Sequence, residues 1–83
     1  MINLYSVQDL KGDYGAPFTA ANDAIALRNF ARLVNDPQTI IHDAPQDFRL
    51  WLVGTMDTDS GVLHPAARIL LLADGKDLVR RDG

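Results

Sequence analysis

Residues 46–61 contain the side chains of this chain best suited to binding chemistry. Large residues alternate there with a period of two and stop at Asp-Thr-Asp-Ser-Gly, a group of turn formers, which predicts a strand that leads into a tight hairpin. In such a strand Arg49, Trp51 and Val53 share one face. An aromatic ring beside a guanidinium group could stack nucleic-acid bases and hold phosphate, or it could be buried against a second subunit.

Tyr5 is expected to add a second ring to this surface. It belongs to a first predicted strand over residues 2–7, and we expect it to lie on the same sheet face as Trp51 and Val53. An open sheet face usually carries polar residues, so these side chains require an explanation. One explanation is burial in a homodimer, since an 83-residue protomer gains stability by oligomerising. The other is a platform for base stacking.

Two arginines on a predicted helix are further candidates for binding phosphate. Arg28 and Arg32 are four residues apart within residues 22–35, so they project from the same side and could grip successive phosphates. An ordinary solvated helix face explains the same pair and is the more common case. Arg80 and Arg81 near the end of the chain are too few to indicate a nucleic-acid patch.

The remaining chemical candidates give no signature of an enzyme, a metal site or a cofactor. Asp57 and Asp59 resemble the start of a calcium loop, but Gly61 stands at the next ligand position and the chain has no Glu to close the loop. A hairpin turn explains these residues better. His42 and His64 have no second ligand at helical spacing. We therefore expect a non-enzymatic protein that holds no metal.

Composition limits the partners and the compartment. The 83 residues fit one domain, and the absence of cysteine favours a reducing compartment. No apolar segment is long enough to span a membrane. The net charge of −3 argues against broad electrostatic adhesion to nucleic acid, although six of the eight basic residues are Arg, which suits forked phosphate contacts.

The order of elements predicts an α+β fold, with one helix packed on one face of a small, mostly antiparallel sheet. Strands at residues 2–7, 48–56 and 62–64 and the helix give the order β-α-β-β, while residues 68–73 fit a fourth strand or a buried helical turn. The chain from about residue 66 is the least certain part of this single domain. We expect an apolar helix stripe to pack against an apolar strand face. The stripe consists of Ala26, Leu27, Phe30, Leu33 and Val34, and the strand face of Leu4, Phe48, Leu50 and Leu52.

Several short segments, taken in order, also match a known family. They are Tyr5–Asp9, Ala16–Phe18, Ala26–Phe30, Val34–Asp36, Pro45–Phe48, Leu52–Asp57 and Gly61–Val62. Together they resemble the small nonstructural protein of gokushovirus-type microviruses, which are tailless phages with circular single-stranded DNA. The resemblance runs from Met1 to about Pro65. It implies DNA binding and a role in single-stranded genome synthesis or in the switch to packaging, and it brings no catalytic residue.

These observations lead to two hypotheses. The first is a phage accessory protein, a homodimer, that binds single-stranded DNA during genome replication or packaging. Its expected contacts are Arg28, Arg32, Arg49, Trp51 and Tyr5. The alternative is an acidic interaction module that binds a viral replication or capsid protein without touching DNA.

Overall fold

The computed structural model describes residues 1–80 and has four strands and one main helix. The strands are β1 (Ile2–Asp9), β2 (Phe18–Ala20), β3 (Phe48–Met56) and β4 (Leu63–Asp74); the helices are α1 (Asp23–Asn35) and the single turn α2 (Ile40–Asp43), with 3₁₀ turns at Pro45–Asp47 and Gly75–Leu78. The sheet order is β2-β1-β3-β4, and every neighbouring pair is antiparallel. The predicted α+β class is confirmed.

The strands differ from the prediction at two places. Residues 18–20 form the short strand β2 beside β1, which was not predicted. The predicted third strand and the alternative fourth strand are both parts of β4, so the helical alternative for residues 68–73 is wrong. The register between β3 and β4 shifts twice. Because of these irregularities the residues of β4 do not alternate strictly, so the pattern did not predict one continuous strand.

Helix α1 begins and ends where the sequence predicts. The Asn22 side chain caps it by accepting a 2.9 Å hydrogen bond from the backbone N–H of Ile25. The helix ends at Asn35, and the extended Asp36 precedes Pro37, since a residue before proline disfavours helical torsions. Ala26, Phe30 and Val34 are buried, with Leu27 packed at the margin. Leu33 is 38% exposed, so the buried stripe is narrower than predicted.

The core lies between α1 and one face of the sheet. Its buried members are Tyr5, Ala20, Ala26, Phe30, Val34, Phe48 and Leu50. Leu52 packs against this cluster, as expected, but Leu4 does not belong to it. The strand register explains why the cluster contains Tyr5 and not Leu4. Tyr5 lies opposite Leu52, whereas Leu4 lies opposite Gly54, beyond a register shift between β1 and β3. Directly opposed residues share a sheet face, so Tyr5 joins Leu52 on the core side, while Leu4 is buried outside this cluster.

The predicted hairpin turn joins β3 to β4. The Asp57 carboxylate accepts hydrogen bonds from the backbone N–H groups of Asp59 (2.9 Å) and Ser60 (3.3 Å), and these bonds lower the pKa of Asp57. Gly61 has a φ of 75°, a left-handed conformation that glycine adopts without steric cost. The carboxylate thus stabilises a turn.

The end of the described chain is tied to the helix. The Asn35 side chain donates to the carbonyl oxygen of Leu78 (3.0 Å) and accepts from the backbone N–H of Arg80 (2.8 Å). This bidentate contact anchors the segment after β4; Arg81 lies outside the described residues. None of the helices within residues 1–80 has the length and apolar character needed to cross a membrane.

Candidate nucleic-acid interface

The sheet face opposite α1 carries Trp51, and we call it the open face; its members are Ser6, Gln8, Arg49, Trp51, Leu71 and Asp74. The antiparallel register assembles them in two rows, because directly opposed residues project to the same side. Ser6, Trp51 and Leu71 lie side by side on three neighbouring strands. Gln8, Arg49 and Asp74 form the adjacent row. The predicted alternation of β3, with Trp51 on the side away from the core, is confirmed.

Trp51 is held in place by polar and aromatic neighbours. Its indole Nε1 donates a 2.8 Å hydrogen bond to the side-chain oxygen of Gln8. The Tyr14 ring lies with its centroid 6.3 Å from that of the indole, and the two planes are inclined by 58°. This tilted arrangement is typical of attractive aromatic pairs and keeps the rings from stacking face to face on each other. The indole is partly exposed, and Tyr14 is 48% exposed.

Backbone contacts bring Tyr14 to this position. Residues 14 and 15 run beside the end of β1: Gln8 and Tyr14 form an isolated antiparallel bridge, and the N–H of Gly15 donates to the carbonyl oxygen of Val7 at 2.8 Å. The Ser6 hydroxyl donates to the Gly15 carbonyl oxygen, also at 2.8 Å. A Cβ at Gly15 would lie 3.2 Å from the Val7 oxygen, so this close approach favours glycine.

Tyr14 was not among the predicted site residues. Its segment has Gly and Pro, which favour a loop, and nothing in its spacing points to Trp51, which is 37 positions away. The available signal was an aromatic residue in a glycine-containing loop beside a strand. Only the folded chain brings it to the indole.

The charge of Arg49 is largely balanced within the protein. Its guanidinium Nε donates to Asp74 Oδ1 at 2.5 Å, in a pair whose side chains are 39% and 23% exposed. The guanidinium group has further N–H donors that can contact a ligand. However, its positive charge attracts phosphate less strongly beside a carboxylate than alone. Arg49 lies on the sheet face where we predicted it. Its ion pair with Asp74 weakens its attraction for phosphate.

Tyr5 does not belong to the open face, so the predicted second stacking ring is wrong. The side chain has no exposed surface and packs against the helix side of the sheet. Its hydroxyl donates to Asp23 Oδ1 at 2.8 Å and accepts from Asn3 Nδ2 at 3.0 Å. Burial raises the pKa of Tyr5, and the hydrogen bond to the Asp23 carboxylate raises it further. A ring enclosed in this way cannot stack on a base.

Arg28 and Arg32 are exposed together on α1, as the helical spacing predicts. Because α1 covers the other side of the sheet, the body of the domain separates them from Trp51. The structure therefore does not combine the five predicted residues into one site. It groups Arg49 with Trp51, places the helix pair on the opposite side, and buries Tyr5.

His42 and His64 were weighed as metal ligands in the sequence. Among residues 1–80, no group of three or more His, Cys, Asp or Glu side chains is placed to hold a metal ion. His42 Nδ1 lies 3.0 Å from the carbonyl oxygen of Val34. A carbonyl oxygen only accepts, so this ring nitrogen carries a proton and links α2 to the end of α1.

The chain matches a known protein family over most of its length. A family model described as Phage ORF5 protein matches residues 2–78. The chain belongs to the Phage ORF5 protein family. As a member of this family it is a phage protein, and the match continues through β4 to the end of the last 3₁₀ turn, well past the segments on which the sequence resemblance was based. No curated protein and no solved structure matches the chain.

Proposed function

We propose that this phage protein is a non-enzymatic accessory protein that binds single-stranded DNA on its open face. Its phage would be of the gokushovirus type, with a circular single-stranded genome, and binding would take place in the host cytoplasm during genome replication or packaging. The observation that supports the proposal best is the pair of partly exposed rings, Trp51 and Tyr14, on the open face of the sheet.

Stacking is the interaction that this pair can supply. Every base has a π face, so an aromatic platform binds single strands with little sequence preference, and each stacked base contributes about 1–3 kcal/mol. The Gln8 hydrogen bond holds the indole in one orientation before a ligand arrives, which reduces the entropy lost on binding. Duplex DNA keeps its bases stacked on one another, so the platform favours single strands.

Electrostatic attraction would contribute little to this complex. The net charge is −3, and the one arginine beside the rings is paired with Asp74. The affinity for a single strand depends on salt with a slope of about −0.7 for each phosphate neutralised. Since Arg49 is the only cation that we assign to the contact, the slope should be close to that of one phosphate, far shallower than for a basic DNA-binding protein.

Titration of a fluorescently labelled oligothymidylate at low salt tests the proposal. We expect binding at protein concentrations on the order of tens of micromolar, with roughly 5- to 150-fold weaker binding by Tyr14→Ala, the equivalent of one lost stacking contact. Tyr14 is half-exposed in a loop, so this variant should remain folded. The control is the Arg28→Ala/Arg32→Ala double variant, which removes two positive charges from the opposite side of the domain and should bind like the wild type.

Two outcomes would contradict this site. Absence of binding by the wild-type protein would refute DNA binding itself. Binding that survives Tyr14→Ala but is lost in the double variant would move the contact from the open face to α1.

The alternative function, an acidic module for a viral replication or capsid protein, is supported by the distribution of carboxylates. Exposed Asp residues occur on all sides of the domain, in loops, turns and helix ends; they are Asp13, Asp23, Asp36, Asp43, Asp59 and Asp77. Such a surface complements a basic partner and raises the association rate.

A pull-down from infected lysate, with and without nuclease, separates the two functions. Partner recovery that survives nuclease favours the interaction module, and recovery that disappears favours DNA binding.

A further inference from the structure

The two edges of the sheet are unequal, and one of them has the features of a contact surface. Strand β2 forms one edge with only three residues and follows directly after Pro17. Strand β4 forms the other edge with 12 residues, and no strand within residues 1–80 pairs with its outer side. Natural proteins protect sheet edges from pairing by short strands, prolines or charges. The β2 edge has this protection.

The middle of β4 lacks it. Ile69, Leu70 and Leu71 are 37%, 51% and 46% exposed, although the successive side chains of a strand point to opposite faces. The apolar run continues to Ala73, with no charge or proline between Arg68 and Asp74. Leu72 and Ala73 pack against the core, whereas the three residues before them are largely exposed along the unpaired side of the strand. A patch of this kind on a small domain marks a protein contact.

We propose that a second copy of this chain covers the β4 edge, with the two β4 strands antiparallel about a two-fold axis at Leu71. The order of residues is self-complementary in this arrangement. Arg68 and Asp74 are equally far from Leu71, so Arg68 of each copy comes level with Asp74 of the partner subunit. Opposite charges then flank a shared apolar centre, which makes the patch self-complementary; the Asp74 carboxylate also accepts from Arg49 of its own copy.

The dimensions of the molecule suit such a dimer. At about 3.3 Å per residue, the 12 residues of β4 extend over about 40 Å, compared with a longest dimension of 46 Å for the domain. The smallest dimension of the domain is 20 Å, so a contact along the whole of β4 and across that width would cover about 40 by 20 Å. This is about 800 Å², the area that each partner buries in a standard stable interface. The inference does not rest on DNA binding, because it uses neither Trp51 nor Tyr14; the two surfaces share only Leu71 and Asp74.

The first test is the mass in solution. Sedimentation of the full chain should give about 18 kDa, twice the protomer mass of 9.1 kDa. Leu70→Lys places a charge in the apolar centre and should raise the dimer dissociation constant at least about tenfold. The matched control is Ile40→Lys, because Ile40 is even more exposed (70%) but lies on α2. It should leave the mass at that of the dimer, and far-ultraviolet circular dichroism verifies that both variants are folded.

The second test locates the axis. The chain has no cysteine, so any disulfide must come from an introduced residue. Residues directly opposed in antiparallel strands have Cα atoms about 4.5–5.5 Å apart, within the range of a disulfide. Leu71→Cys should therefore form a covalent dimer under mild oxidation much faster than Ile40→Cys. A monomeric wild-type protein, or a dimer in which the two cysteine variants cross-link at equal rates, would overturn the proposal.

Discussion

The indole Nε1 of Trp51 and the side-chain oxygen of Gln8 form a 2.8 Å hydrogen bond across the neighbouring strands β1 and β3. Both residues lie on the open face, in adjacent rows of the sheet. A partly exposed ring would sample several rotamers if only packing restrained it. The amide instead fixes the direction of the indole edge, and the Tyr14 ring limits the space on one side. The aromatic platform is thus organised by the sheet register before any ligand binds.

Trp51 fluorescence should report this arrangement directly, since it is the only Trp in the chain. Gln8→Ala removes the hydrogen bond and loosens the ring, so its emission should shift to longer wavelength. Gln46→Ala, at an exposed position away from the open face, should leave the emission unchanged. Oligothymidylate should change the wild-type emission if DNA stacks on the indole. An emission maximum that is insensitive to both Gln8→Ala and DNA would show that the ring is held and covered in another way.

Tyr5 should make stability depend on pH in the alkaline range. Burial raises its pKa in the folded state above the ordinary value of 10.0. A group with a raised pKa contributes stability that is complete below its unfolded pKa and is lost as the pH rises through its folded pKa. The wild-type protein should therefore lose stability above about pH 10. Tyr5→Phe should be less stable at neutral pH by roughly 1–3 kcal/mol, because its bond to a carboxylate is lost, but should show less of the alkaline decline.

Urea unfolding at a series of pH values measures both effects. Tyr14→Phe is the matched control, because it removes the same hydroxyl from a half-exposed ring. It should be as stable as the wild type at neutral pH and should retain the alkaline decline. If Tyr5→Phe and Tyr14→Phe behave alike, the Tyr5 hydroxyl is not engaged as the structure describes.

Phe30→Ala should be strongly destabilising. Phe30 has no exposed surface and lies at the centre of the buried face of α1. Truncation of a buried aromatic side chain costs roughly 3–5 kcal/mol, which is comparable with the whole stability of a domain this small. Leu33→Ala on the same helix, at a residue that is 38% exposed, should cost clearly less. Thermal unfolding compares the variants, and equal melting temperatures for both would contradict the orientation of α1.

Gly54→Ala should weaken the pairing of β3 with β4. A Cβ at Gly54 would lie 2.5 Å from the carbonyl oxygen of His64 and 3.2 Å from the Cα of Pro65, both backbone atoms that cannot rotate away. The strands must separate locally, at a cost of roughly 1–3 kcal/mol for an overpacked site. At Gly12 the nearest atom to a Cβ is 3.4 Å away on the flexible side chain of Asp9, so Gly12→Ala should be tolerated. Equal stability of the two variants in urea would show that β4 does not approach Gly54 so closely.

The local features of this chain were predictable because each depends on residues close together in sequence. The 3.6-residue spacing of apolar side chains predicted α1, and two-residue alternation predicted β3 with Trp51 away from the core. The preference of Asp and Gly for turns predicted the hairpin at residues 57–61. These features also determined the α+β class.

The tertiary structure decided which residues meet. Both faces of β1 are apolar enough to serve the core, and pairing with β3 selected Tyr5 over Leu4 by setting it opposite Leu52. The contact of Tyr14 with Trp51 and the ion pair of Arg49 with Asp74 join positions that are 37 and 25 residues apart. Strand register and loop closure set such contacts, and both depend on the packing of the whole chain, because a change of register by one residue turns every side chain of a strand to the opposite face.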